Sequence, residues 1–123
     1  FWPAPAIPHR KVVVDVTDGA AEEARRRFGF DEASSDWRAV VARPDIDVVD
    51  ICTPNNVHAE IAIAAAKAGK HIICEKPLAR TVEEARAMTE AAKAAGIIHM
   101  VAFNYRRTPA VALAKRLTAA QPA

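Results

Sequence analysis

The feature that most limits what this chain can become is a regular alternation of short apolar runs with helix-forming stretches. Residues 11–16 (KVVVDV), 46–52 (IDVVDIC), 71–74 (HIIC) and 97–103 (IIHMVAF) are dominated by β-branched and aliphatic residues. Strands covered on both faces have this composition. Helix signals fill the intervals. Asp18 reads as the N-cap of a helix to about residue 28, closed by Gly29. A short extended piece follows near 30–34, then a short helix over 36–42. Asn55 or Asn56 can cap a helix over 57–68, with Gly69 as its C′ residue. Thr81 and Glu84 form a capping box for a helix to about residue 95, closed by Gly96. Thr108-Pro109 supplies an N-cap and an N1 proline for a last helix. Residues 1–10 hold three prolines and read as a loop. Strands alternating with helices of this length indicate βαβ units and a parallel sheet. The expected class is α/β, and periodicity alone leaves a nucleotide-binding sheet and a flavodoxin-like sheet both open.

Composition narrows the function classes. With 123 residues, the chain has material for one domain. A net charge of +2 gives no footprint for nucleic acid or a membrane surface. The densest basic run, Arg25 to Arg27, follows Glu22 and Glu23 and reads as a solvated helix face. Cys52 and Cys74 sit inside apolar runs. They are expected as buried thiols of a cytoplasmic protein, not as a disulfide scaffold. No run reaches the roughly 18 apolar residues of a membrane span. The start, Phe-Trp-Pro-Ala-Pro, has neither Met nor a charged leader and reads as a cut end.

Ligands of open α/β sheets bind beyond the carboxyl ends of the strands. The residues that follow each run are therefore the informative ones. They are Asp15, then Thr53-Pro54-Asn55, then Glu75-Lys76-Pro77, then Asn104-Tyr105-Arg106. Asp15 stands where such a sheet places an acid for the adenosine ribose hydroxyls. A carboxylate there repels a 2′-phosphate and favours NAD over NADP. The competing reading is a strand-end turn. Lys76, held between a carboxylate and a proline, suits a proton donor or a clamp on a developing alkoxide. Its competing reading is a solvated surface turn. The bond before Pro77 is one that can be cis. His58 lies in a first helical turn, where an imidazole can line a ligand or simply cap. His71 and His99 lie within strands and read as structural, and His9 lies in the loop. No metal-ligand spacing and no Ser/His/Asp arrangement is visible. Cys52 reads as a small buried hydrophobe before it reads as a cofactor contact.

The stretch VVDICTPNNVHAEIAIAAAKAGKHIICEKPLARTVEEARAM resembles the Gfo/Idh/MocA family of oxidoreductases. Thr53-Pro54-Asn55, His58, the Ala68-Gly69-Lys70-His71 turn and Glu75-Lys76-Pro77 match its pattern in order and spacing, and FNYRRTPAV near the end is similar too. The likeness runs from about Lys11 to the C-terminus. It implies a Rossmann-type parallel sheet with flanking helices, a nicotinamide cofactor, and hydride transfer to or from a sugar, polyol or inositol-like substrate. It further implies that Asp15 holds the adenosine ribose and that Thr53, Pro54, Asn55 and His58 line the nicotinamide. Glu75 would bind the nicotinamide ribose, with Pro77 beside it, and Lys76 would meet the reacting substrate oxygen. Asn104 and Arg106 would border cofactor and substrate. The whole protein is expected to be a homo-oligomer.

Two departures qualify this. The glycines are Gly19, Gly29, Gly69 and Gly96, so no G-x-G-x-x-G is present to admit a pyrophosphate. Nothing resembling a substrate domain follows. Residues 11–123 are therefore expected to be a partial nucleotide-binding domain that lacks its first, central strand. The strands at 11–16 and 46–52 would then flank a gap or pair directly in a rearranged sheet. A non-catalytic nucleotide-binding regulator of the same fold and an inactive truncated product remain as alternative readings.

Overall fold

A computed structural model of the chain describes residues 7–119. Of the expected N-terminal loop, residues 1–6 lie outside the described residues, and 7–10 are irregular. The elements run β1 (Val12–Val14), α1 (Asp18–Phe28), β2 (Glu32–Ser34), α2 (Trp37–Val41), β3 (Val48–Ile51), α3 (His58–Lys67), β4 (His71–Cys74), α4 (Val82–Ala95), β5 (His99–Val101), a 3-10 turn (Asn104–Arg107) and α5 (Pro109–Ala119). The alternation expected from sequence is present throughout. β1, β3 and β5 are shorter than the apolar runs that announce them, whereas β4 spans its run in full.

The strands form two parallel sheets. β1 pairs with β2, and β3, β4 and β5 pair in that order. Val12 lies opposite Glu32 in the first sheet. Val48 lies opposite His71 and Ile72 opposite His99 in the second. β1 and β3 do not pair, so the rearranged sheet is not what forms. No described strand joins the two pieces. This is an α/β Rossmann-type arrangement of parallel strands and flanking helices.

Capping differs in detail from expectation. Thr17, not Asp18, is the N-cap of α1, and its Oγ1 accepts from the Ala20 amide at 3.2 Å. Asp18 instead sits in the first turn, where its charge complements the helix dipole. Thr81 Oγ1 accepts from the Glu84 amide at 3.1 Å, as a capping box requires. Glu84 reaches one residue further back than the box predicts, to the amide of Arg80 at 3.0 Å, because the Arg80 guanidinium holds its other oxygen at 2.9 Å. Neither Asn55 nor Asn56 caps α3. Val57 is its N-cap and makes no side-chain bond. Gly29 and Gly96 close α1 and α4 with φ of 70° and 65°, a region costly to any residue with a Cβ.

The main hydrophobic cluster lies with the three-stranded sheet. Ile51, Ile72 and Cys74 from β3 and β4 pack with Ile61, Ala62, Ala65 and Ala66 of α3, Met88 of α4 and Val41 of α2. The small side chains of α3 let it sit close against its neighbours. Cys74 is buried as expected, but Cys52 is exposed, because it lies past the end of β3. His71 and His99 are exposed rather than in the core, and His71 Nδ1 accepts from the Ile98 amide at 3.2 Å.

The two sheets are tied at the amino ends of their strands by ion pairs. Arg43 reaches Glu32 of β2 at 2.6 Å and Asp45, just before β3, at 2.6 Å. Lys11, just before β1, meets Glu32 at 3.1 Å and Asp45 at 3.9 Å. The Glu32 and Asp45 carboxyls are each held down to about 2, first by hydrogen bonds from Arg43. No described helix is long and apolar enough to cross a membrane.

Candidate functional site

Parallel strands deliver their following residues to one edge of each sheet, and that edge carries the polar segments singled out above. Asp15 leaves β1 with its amide donating to Ser34 O at 3.2 Å. Its Oδ1 accepts from the Val16 amide at 2.7 Å. The carboxylate is exposed, so its other oxygen faces solvent with acceptor capacity to spare. This is chemistry suited to a pair of sugar hydroxyls.

In the larger sheet the segments after β3, β4 and β5 adjoin one another. Glu75 N donates to Ile51 O at 2.9 Å and Ala102 N to Cys74 O at 2.8 Å, carrying the ladder one step past the strand ends. Thr53, Pro54 and Asn55 are exposed in a turn beside the exit of β4. Glu75 is half-buried, and its Oε2 accepts from the Lys76 amide at 3.0 Å. Lys76 and Pro77 are exposed, and the peptide bond between them is cis. Asn104 and Arg106 are exposed on the 3-10 turn after β5.

His58 departs from its expected place. Its side chain is 1% exposed and so has no surface to present to a cofactor. The ring sits between two loops. Nε2 is 2.8 Å from Thr53 O, and Nδ1 is 3.1 Å from Pro77 O and 3.3 Å from Leu78 O. The sequence names His58 but not its partners, because backbone carbonyls leave no mark on residue type. Asp50, unlike His58, was not singled out from the sequence. The signal was an acid inside an apolar run. Cys52 Sγ lies 3.6 Å from Asp50 Oδ1. Although the residue as a whole is exposed, partial burial of its sulfur, then the Asp50 charge, pushes the Cys52 thiol up to about 11. Burial raises the Cys74 thiol as well. Both sulfurs are thereby kept as protonated thiols, unsuited to nucleophilic work.

The donor set fits the ribose ends of a dinucleotide better than its middle. The exposed carboxylate of Asp15 and the half-buried one of Glu75 can accept from sugar hydroxyls, and Lys76 adds a cation beside the second. None of the three glycines with positive φ stands at a strand-to-helix turn, where a pyrophosphate cradle needs one. No three His, Cys, Asp or Glu side chains among the described residues come together as a metal site.

Comparison with known proteins gives a consistent result. Residues 9–103 match the family model described as Gfo/Idh/MocA, an oxidoreductase family with an NAD-binding Rossmann fold. A levoglucosan dehydrogenase from Pseudarthrobacter phenanthrenivorans is 68% identical over 116 residues, which are 94% of this chain and 30% of that protein. The scyllo-inositol 2-dehydrogenase (NAD(+)) of Bacillus subtilis is 41% identical over 113 residues, covering 90% of this chain and 33% of its own length. A solved levoglucosan dehydrogenase in complex with NADH and levoglucosan superimposes with a TM-score of 0.89 at 67% identity. That match covers 96% of this chain and 32% of the other. The chain thus spans about a third of the length of these relatives.

Proposed function

The chain belongs to the Gfo/Idh/MocA oxidoreductase family, with its NAD-binding Rossmann fold, and from that premise we propose that it forms part of an NAD-dependent dehydrogenase of a sugar or cyclic polyol. The observation that carries the proposal is the placement of Lys76. It is exposed at the carboxyl end of β4, beside Glu75 and next to the turn that follows β3. A lysine side chain there can hold the oxygen of a substrate alcohol and, as the neutral amine, take its proton as the carbonyl forms; in the reverse direction the ammonium returns it. The nicotinamide, when bound, supplies the acceptor or donor of the hydride.

The remaining residues bind and orient. Asp15 accepts from the adenosine ribose hydroxyls, and its charge disfavours a 2′-phosphate, which supports NAD over NADP. Glu75 accepts from the nicotinamide ribose. Thr53, Pro54 and Asn55 wall the nicotinamide side, with Pro77 opposite. Asn104 and Arg106 border the substrate. Residues 11–123 act as part of the nucleotide-binding domain, and most substrate contacts lie outside them. The 68% identity to a levoglucosan dehydrogenase makes that anhydrosugar the first substrate to try, followed by inositols.

The test is replacement of Lys76 by Met in the native gene product, expressed whole and assayed for NADH formation. Loss of the proton-handling group is expected to lower kcat by roughly 10²–10⁴-fold while NAD binding survives. NAD binding by the unaltered protein without turnover of any sugar or polyol would favour a non-catalytic regulator instead.

A further inference from the structure

We infer that His58 is a positioning residue. Its buried ring clamps the loop after β3 to the loop after β4 and thereby sets where Lys76 stands. The inference rests on the dehydrogenase reading above and extends it to a side chain that touches neither substrate nor cofactor.

Three observations point the same way. First, His58 is the most enclosed polar side chain among the described residues, at 1% exposed, although it begins a helix and its neighbours Asn55, Asn56 and Glu60 are exposed. Burying an imidazole costs free energy unless its nitrogens are satisfied. A position held only for packing is better filled by leucine. Second, the nitrogens meet oxygens from two different loops, Thr53 O on one side and Pro77 O and Leu78 O on the other. A neutral ring donates to one loop, and a doubly protonated ring donates to both. The two-loop clamp therefore takes the doubly protonated ring, because a neutral ring turns a lone pair toward one loop's carbonyl oxygen. Third, the two loops are the segments that carry the proposed site. Thr53 precedes Pro54-Asn55, and Pro77 follows Lys76 directly. Moving the Pro77 carbonyl by even an ångström moves the Lys76 main chain with it. Misplacement on that scale can lower a rate by roughly a hundredfold.

The role differs from a structural one in what it predicts. A purely structural histidine would contribute to folding stability and leave the chemical step alone. A positioning histidine contributes to kcat out of proportion to its effect on stability. It lowers NAD affinity far less than kcat, because these loops carry only the proposed nicotinamide end and the proposed adenosine end is built on β1.

The experiment uses the whole native gene product with NAD and levoglucosan or scyllo-inositol. Three variants are compared with wild type: His58→Leu, His58→Gln and Ile61→Ala. Ile61 is a buried core residue of the same helix with no part in the site. Each is measured for kcat, KM, NAD affinity and thermal midpoint. His58→Leu is expected to lose kcat by roughly a hundredfold with NAD affinity within about threefold. His58→Gln should recover at least about tenfold of that loss, because its amide can still bridge carbonyl oxygens. Ile61→Ala should lower the midpoint and keep kcat within about twofold. If His58→Leu does not fold, the Gln variant and the wild-type ring decide the matter. The clamp requires an imidazole N–H resonance in slow exchange with water. A His58→Leu kcat within about twofold of wild type, a freely exchanging ring, or an Ile61→Ala kcat that falls in step with its midpoint each overturns the inference. A wild-type protein that neither binds NAD nor oxidises these substrates overturns the dehydrogenase reading itself, a separate outcome.

Discussion

The two sheets begin from similar sequence and end in different states. KVVVDV supplies β1, and IDVVDIC supplies β3. Every residue of β1 and β2 is only half-buried, and α1 beside them buries Ala21 alone. β3 and β4, by contrast, place Ile51, Ile72 and Cys74 in the core with α3 and α4. No residue of β1, α1 or β2 joins that cluster. The difference is one of partners rather than of hydrophobicity. β4 is hydrogen-bonded along both edges; β3, like β1 and β2, has one paired edge, and its Ile51 is covered instead by the cluster that α2, α3 and α4 supply. An apolar run states how much surface can be buried. What is actually buried depends on how many faces and edges find a neighbour.

The sharpest way to break this comparison is to truncate matched residues. Ile51→Ala in β3 removes a side chain that is 2% exposed, and should cost about 2–5 kcal/mol of unfolding free energy. Val13→Ala in β1 removes a smaller, half-buried one and should cost about 1 kcal/mol or less. Denaturant titration of the 123-residue chain reads both. Equal losses would mean that the smaller sheet shares the core after all.

The same contrast explains what sequence could and could not reveal. Alternation and glycine stops placed each helix to within a few residues, because helix ends are written in local chemistry. The residues that follow each apolar run located the sheet edge, and the family likeness around Thr53 and Lys76 gave them expected roles. The Thr17 cap was missed by one residue, since Thr17 and Asp18 are both good caps and only backbone geometry chooses between them. His58 was named but given a lining role, since a side chain's burial depends on loops that meet only in three dimensions. Cys52 was expected inside because its run is apolar, yet β3 stops at Ile51. Each shortfall is a tertiary fact with no local sequence mark.

A second matched pair separates local from shared stability. Gly29 and Gly96 occupy the same left-handed cap in the two halves, and no severe contact awaits a Cβ at either. Alanine at each position therefore incurs the same backbone cost, about 1 kcal/mol. If the halves open independently, Gly29→Ala should speed amide exchange in β1 and β2 alone, while Gly96→Ala should lower protection throughout β3 to β5. Exchange that rises everywhere in both variants would show a single cooperative unit.

The smallest effect is expected at the ion cluster that joins the halves, and its sign follows from the depressed carboxyls. Glu32 and Asp45 titrate at about 2 in the folded chain, against ordinary values of 4.5 and 3.8. A carboxylate whose folded value is lowered contributes stability that is complete above its unfolded value and lost as pH falls through the folded one. The contribution should therefore be present above about pH 4.5 and gone near pH 2. Arg43→Met removes the shared guanidinium, so the variant's stability should fall less steeply across that window, and the two curves should meet at its acid end. These groups are exposed to solvent, so salt should shrink the difference. Because the pairs link β2 and the approach to β1 with the approach to β3, exchange in the smaller sheet should respond to Arg43→Met more than exchange in the core strands. A response concentrated in β4 would mean instead that the cluster braces the core, and that the two sheets depend on each other more than their pairing implies.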